Sequence, residues 1–352
     1  MTSAGEVALH DLNEHGISLQ GAMIYDWSKE IDSEDSEAGF GRYSFDLTMP
    51  VDGHKLWGLK GSAGLVRLRH HLNNFGDDCA GEDQLFSNID ASPRTTLYEI
   101  WIEQHLFNEK LRLKFGKVDA NTEFDTVQTA SDFLNSSMGY SPTIIAFPTY
   151  PEPKLGFNAF FHPTLNDSLG VGVFQTASAG TLSIIEPGHS WRLGRSENPG
   201  RISVGYWRLG GNLVRFDGRI ADETHGFYSV VEHMLWRDPS EQRNLSAFLQ
   251  LGFADGRVSS IERHIGAGTV VQGIVPKRSQ DSIGIATTWV RFSSQPAAAF
   301  DLPTELILES YYKIAITKHL SLVQDFQFVH HPGGLRSNPD CPIVTPRLVI
   351  TF

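Results

Sequence analysis

The chain has 352 residues, 40% hydrophobic and 20% charged, with 33 Gly, 22 Phe, 9 Tyr, 7 Trp and a formal net charge of −12. This length buries a large core, and the aromatic content excludes a disordered chain. The acidic balance argues against nucleic-acid binding, and no stretch approaches the roughly 20 uninterrupted apolar residues of a membrane helix. What is left is a soluble all-β or α/β protein, or a membrane β-barrel, whose strands alternate and so carry no long apolar run.

Met1 to Gly5 leads into a polar segment without an apolar stretch, so a secretory signal is expected to be absent or already removed. From there period-2 alternation dominates and helical periodicity is scarce. Ile17, Leu19, Gly21, Met23, Tyr25 and Trp27 alternate with Ser18, Gln20 and Asp26. Tyr43, Phe45, Leu47 and Met49 alternate with Arg42, Ser44, Asp46 and Thr48. Near the end Leu306, Leu308, Tyr312, Ile314 and Ile316 alternate with Glu305, Glu309, Tyr311 and Lys313. The last run sets Val344, Leu348, Ile350 and the terminal Phe352 against Thr345, Arg347 and Thr351.

The pattern predicts sixteen strands: 17–28, 38–49, 56–71, 94–106, 111–118, 154–161, 168–177, 200–208, 212–218, 226–236, 245–254, 264–275, 281–293, 304–316, 320–331 and 342–352. Each is about 10 residues long, the length of a tilted membrane strand. Connections after even strands are mostly tight, as at Phe107 to Lys110, Leu209-Gly210-Gly211 and Thr317 to His319. Those after odd strands include the long segments 72–93, 119–153 and 178–199. Short turns on one side and long loops on the other are the outer-membrane barrel pattern. A soluble sandwich has no reason to keep its long connections on one side.

Leu97 to Gln104, the run Leu113-Lys114-Phe115-Gly116-Lys117-Val118-Asp119-Ala120-Asn121 and Phe133-Leu134-Asn135-Ser136-Ser137-Met138-Gly139 resemble the carbohydrate-selective porins of the OprB type. The closing stretch from Glu305 through Val323 to Phe328 and His331-Pro332-Gly333-Gly334 to Phe352 is similar to that family's C-terminus. The resemblance implies an all-β fold, a sixteen-stranded antiparallel transmembrane barrel in the bacterial outer membrane. It implies a passive channel for small carbohydrates, not an enzyme, with the third loop, 119–153, folded inward as the constriction. Residues 1–15 are then a periplasmic extension, a plug or a disordered lead-in, and 16–352 a single barrel domain. A general porin or export channel for other small solutes would keep the same fold. A barrel enzyme would need an ordered catalytic group, and no nucleophile elbow or phosphate-binding Gly motif is present.

A sugar pore needs a ring of hydrogen-bonding groups and an aromatic face for the sugar's C–H surface. With Tyr98, Ile100, Ile102 and Leu106 toward lipid, Glu99, Trp101, Glu103 and His105 face the lumen. On the next strand Leu111, Leu113 and Phe115 face lipid, so Arg112 and Lys114 point inward. Pairing Leu106 with Leu111 sets Glu103 opposite Lys114 and His105 beside Arg112. Arg67 and Arg69 are expected inward, since a mid-bilayer charge on lipid costs about 2–4 kcal/mol. Trp57 and Leu59 then conflict in phase, which a bulge near Gly61 to Gly64 would reconcile. In the long loop Asp119, Asn121 and Asn135 supply further polar groups, and the resemblance raises Asp119 and Asn121 as shapers of the constriction.

Arg67, Arg69, Glu99, Trp101, Glu103, Arg112, Lys114, Asp119, Asn121 and Asn135 form the expected sugar path. Arg42, Arg201, Arg215, Lys313 and Arg347 add to a lumenal lining with a slight basic excess. No metal or cofactor is expected, because the loop oxygens lack calcium-loop spacing and the strand pairs His70-His71 and His330-His331 point to opposite faces. Cys79 and Cys341 are too few for a disulfide scaffold, and a loop–loop disulfide and two unpaired thiols both stay open. The expected partners are small neutral sugars, outer-membrane lipids and, through the strand ending at Phe352, the barrel-assembly machinery. Nucleic acid is not among them.

Overall fold

The computed structural model describes residues 12–31, 39–73, 81–177, 180–240 and 242–352. Period-2 alternation becomes sixteen strands: β1 (Gln20–Glu30), β2 (Phe40–Asp52), β3 (Ser62–Asn73), β4 (Arg94–Leu106), β5 (Leu111–Val118), β6 (Lys154–Phe161), β7 (Asp167–Gln175) and β8 (Thr181–Leu193). The second half comprises β9 (Asn198–Val214), β10 (Ile220–Arg237), β11 (Asn244–Ala254), β12 (Ile261–Gln272), β13 (Ser282–Phe292), β14 (Thr304–Thr317), β15 (Leu320–His330) and β16 (Cys341–Thr351). Each pairs with its chain neighbours, and β1 pairs antiparallel with β16, so the sheet closes with no free edge. Asp26, Arg42, Glu305 and Arg347 are buried inside, while Tyr25, Trp27, Leu308 and Phe326 are exposed on the outer wall.

The count of sixteen holds, but two boundaries differ in compensating ways. Residues 178–199, expected as a loop, contain β8; segments 200–208 and 212–218, expected as two strands, form the single β9. Pro187 disguised β8. It is tolerated because the β8–β9 register runs from Ile185↔Tyr206 to Gly188↔Ser203, leaving Pro187 without a partner on β9 while it stays opposite Leu169 of β7. Leu209-Gly210-Gly211 is no turn: β9 continues through it, and a register shift between Ala221 and Glu223 of β10 absorbs the irregularity. Arg215 consequently lies in the turn after β9, ion-paired to Asp217 at 3.0 Å, and not on the lumenal wall. With Arg215 outside the wall, Glu186 of the unexpected β8 and Glu232 of β10 on the inside remove the expected basic excess of the lining.

The phase conflict before Arg67 also resolves differently. Asp52 caps a short helix, α1 (Gly53–Trp57), its Oδ1 accepting from the His54 and Lys55 amides at 2.9 and 3.2 Å. Gly58 ends the helix at φ +76°. Trp57 and Leu59 thus precede β3 and impose no phase on it. The bulge lies in β4 instead, where the register passes from Arg67↔Glu99 to Leu68↔Leu97. The extra residue turns Tyr98 inward beside Glu99, correcting its expected place toward lipid; it is 1% exposed.

The 119–153 segment lies inside the barrel. Phe124 and Ile144 pack against Phe160, Phe174, Leu182, Ile184 and Trp207 of the wall. Phe133, Leu134 and Met138 meet Val230, Phe248, Ala286 and Tyr311. Each large side chain so buried contributes about 1.5–3 kcal/mol. Wall glycines make the room: a Cβ at Gly172 would meet the Phe124 ring at 2.6 Å, and one at Gly284 would meet Phe133 at 2.7 Å. Gly172→Val is therefore expected to displace Phe124, cost about 1–3 kcal/mol by overpacking and push the loop into the lumen. Single-channel conductance and melting temperature should both fall. Wild-type values for both would show that the loop does not depend on this seat.

The described part of the second long loop, 81–93, is folded inward as well, which the sequence reading did not anticipate. Phe86 packs with Phe40, Ile307, Val329, Cys341 and Ile343, and the Asn88 amide donates to the Leu134 carbonyl of the third loop at 2.7 Å. Cys79 lies outside the described residues. Residues 12–18 lie along the end of β2, with Ile17 bridged to Val51; residues 1–11 are outside the described set. At the far end His331 leaves β15 with φ +58°, so its ring stacks 3.7 Å from that of His330, where opposite faces were expected.

Glu82 in the second loop carries a pH dependence. Burial, reinforced by nearby Glu305, pushes its carboxyl up to about 8, and its Oε2 has no hydrogen-bond partner among the described residues. A carboxyl raised on docking holds an extra proton in the docked state between about 4.5 and 8. Docking of 81–93 should weaken as pH rises through that window and level off above it. Hydrogen exchange corrected for its intrinsic pH dependence should show this, and Glu82→Gln should abolish it. Equal pH slopes in both proteins would contradict the assignment.

Candidate constriction site

Besides its seat on β6 to β14, the third loop borders a space next to β1 to β4. There a cavity of about 420 Å³ is lined by Ser44, Arg69, Tyr98, Asn121, Tyr140 and Tyr150, among others. Arg69 grips Asp46 through Nε and Nη2, each 2.5 Å from a carboxylate oxygen, and its guanidinium lies 3.7 Å from the Tyr98 ring centroid. The two-point bond and the stack fix the fork, and Nη1 has no hydrogen bond among the described residues. The Tyr98 hydroxyl donates to Asp119 Oδ2 at 2.5 Å, while Thr149 donates to Asp119 Oδ1 at 2.7 Å. Tyr150 donates to the Ile89 carbonyl at 2.6 Å. Wall, second loop and third loop thus meet around one arginine.

Below this level the lining descends β4 in steps. Arg67 Nη1 lies 3.0 Å from Glu99 Oε2, and Glu99 Oε1 accepts from the Asp119 amide at 3.1 Å. Lys114 sits 3.9 Å over the Trp101 ring and bridges Glu123 and Glu103 at 2.5 and 3.1 Å. Arg112 binds the same two carboxylates, at 2.6 Å to Glu123 and 2.9 Å to Glu103, with its guanidinium 4.4 Å from the Phe160 ring centroid. The register Glu103↔Lys114 and His105↔Arg112 is the one expected from the sequence. Gly116 faces Trp101 across the pair with φ +146°, where a Cβ would lie 2.2 Å from the Ile100 carbonyl, so only glycine lets β5 approach β4 this closely.

Nine of the ten expected residues therefore fall into two connected groups along one wall. Arg69, Asp119 and Asn121 border the cavity, and Arg67, Glu99, Trp101, Glu103, Arg112 and Lys114 continue from it. Asn135 stands apart. It is 1% exposed and caps the short helix α2 (Ser136–Gly139) by accepting from the Ser137 amide at 2.9 Å. Its Nδ2 donates to the Gln84 carbonyl at 2.9 Å, so it ties the second loop to the third.

Sequence reasoning missed the aromatic side of the cavity. Tyr98 was hidden by the bulge, its only trace being two apolar residues in succession at Leu97 and Tyr98. Tyr140 and Tyr150 belong to the irregular loop, where no periodicity assigns a direction. Burial, with Asp119 and Asp125 nearby, pushes the Tyr140 phenol up to about 12, so it remains a neutral donor and acceptor. The wall carboxylates also serve an unforeseen purpose. Glu186, Glu232 and Glu309 accept from the loop amides of Asp125, Thr129 and Leu134 at 3.0, 2.5 and 2.5 Å, pinning the loop backbone around the barrel.

A closed barrel with a polar lumen, narrowed by an inward loop clamped to its wall, is a diffusion porin. The family model of the carbohydrate-selective porins, OprB family, matches residues 42–352, and the chain belongs to that family. It is 21% identical over 389 residues to Porin B of Pseudomonas aeruginosa, covering 92% of this chain and 85% of that protein. Among solved structures, the high-pH structure of Pseudomonas putida OprB superposes with a TM-score of 0.87 at 17% identity, over 100% of this chain and 98% of that one. The low-pH structure of the same protein gives 0.67 at 19% identity, with the same coverage. A loop-deletion mutant of OmpT from Vibrio cholerae gives 0.56 at 10% identity, over 96% and 99% of the two chains. The chain is accordingly a sugar channel of the bacterial outer membrane.

Proposed function

We propose that small neutral sugars cross along the β2–β5 wall, meeting Arg69, Asn121 and Tyr140 at the cavity and then Arg67, Trp101 and Arg112 below it. The observation that carries this is the Asp46–Arg69–Tyr98 stack, in which a fixed guanidinium with one free donor edge borders a cavity of about 420 Å³. A planar fork suits vicinal hydroxyls, and aromatic rings suit the sugar's C–H face. Because every cation here is already paired, a sugar exchanges bonds with water and is not held tightly enough to stop flux. The 119–153 loop is the selectivity element in this reading. Outer-membrane lipid contacts the apolar outer wall, and the assembly machinery reads the last strand. Phe352, 63% exposed, gives that strand an accessible aromatic end.

Sugar titration of single-channel current in planar bilayers tests the path. Arg67→Ala and Trp101→Ala should each weaken sugar block severalfold, Arg67→Ala with some loss of melting temperature because it leaves buried Glu99 without its counter-ion. Wild-type block in both variants would remove these two residues from the path.

A further inference from the structure

On the outer face of β12 and β13, at the rim that carries the long loops, Arg263 and Arg291 stand directly opposite each other in the strand register. Like charges so placed repel, and the arrangement is destabilising unless an anion lies between them. Only one of the two cations has a carboxylate partner: Arg291 Nε lies 2.9 Å from Glu262 Oε1, whereas exposed Arg263 has no hydrogen bond or ion pair among the described residues. Neighbouring rim arginines are different. Arg208 is bound to Glu223, and Arg257 to Asp255 at 2.6 Å.

The setting is the edge of the apolar belt. Arg263 pairs in register with Phe253, and on the same outer face Phe253, Phe227 and Ile265 are 49%, 50% and 44% exposed. Tyr206 lies 5.0 Å from Phe227, ring to ring, which extends this aromatic band across β9 to β11. Aromatic side chains at this depth mark the headgroup level of a bilayer, and arginine forks bind phosphate there through paired N–H donors.

We propose that Arg263 and Arg291 together bind the phosphate of a phosphorylated lipid in the leaflet on the long-loop side, with its acyl chains lying over Phe253 and Ile265. The phosphate supplies the negative charge that this pair lacks. The inference rests on the outer-membrane reading and is independent of the sugar path.

The test uses the full chain, purified in detergent, with lipid retention counted by native mass spectrometry. The probes are bisphosphorylated lipid A and the same lipid with its phosphates removed. The wild type should retain the phosphorylated lipid at least tenfold more strongly. Arg263→Gln/Arg291→Gln should lose that preference, and Arg257→Gln, whose guanidinium is already held by Asp255, should keep it. If the double variant does not fold, Arg263→Gln alone, which removes no internal bond, decides by losing most of the preference. Equal retention of both lipids by the wild type, or an undiminished preference in Arg263→Gln, would overturn the proposal. A rim that instead pairs two copies of the chain without lipid would overturn it as well.

Discussion

Replacing Arg347 by methionine should cost the barrel about 3–5 kcal/mol, the largest single-site effect on stability expected. Arg347 and Asp26 are register partners across the β1–β16 seam, the contact that closes the cylinder. Both are buried, and Arg347 Nε and Nη2 lie 2.7 and 2.8 Å from the Asp26 carboxylate. Nη2 also donates to Asn88 Oδ1 at 2.9 Å, and Ser87 donates to Asp26 Oδ2 at 2.7 Å, so the second loop is anchored on the same pair. Losing the guanidinium leaves a buried carboxylate without its counter-ion at the seam. The single variant should unfold at markedly lower temperature and conduct noisily. Asp26→Leu/Arg347→Met should recover much of the loss, because an apolar pair removes the stranded charge. A single variant as stable as the wild type would show that the seam is held by backbone pairing alone.

Arg69→Met is expected to raise the half-saturating sugar concentration in current-block experiments roughly tenfold to hundredfold, about 1.5–3 kcal/mol for a hydrogen bond to a charged group. The same change strands Asp46 and uncovers the Tyr98 ring. Arg69→Lys keeps the charge but loses the two-point bond and the stack, so it should rescue little of the affinity. Full rescue by lysine would mean that charge alone governs the site. Unchanged block in Arg69→Met would remove the residue from the sugar path.

Much of this wall could be read from the sequence, because a strand buried on one side writes its phase into every second residue. The β4–β5 hairpin is the clearest case. Leu106, Leu111, Leu113 and Phe115 fixed the outward face, and the tight turn at 107–110 fixed the register, which placed Glu103 against Lys114. The phase is lost where the backbone departs from a simple ladder. Pro187 and Gly188 interrupt the apolar alternation of β8, and Gly210-Gly211 mimics a turn inside β9, so a strand was lost and another split. One extra residue at the β4 bulge inverted Tyr98. The loops were the harder part. Tyr150 and Glu123 reach the pore by long-range packing, and the glycines that admit Phe124 and Phe133 look in sequence like any other strand glycines. Likewise Glu99 and Glu309 read as pore charges until the loop amides that occupy them are seen.

The central claim, a path that prefers sugars because of its arginine–tyrosine lining, is tested most directly by liposome swelling. Proteoliposomes should admit neutral mono- and disaccharides faster than amino acids and small anions of matched size, and Arg69→Met should narrow that difference. Equal swelling rates for all solutes of one size, in the wild type, would contradict it and leave only a size-selective pore.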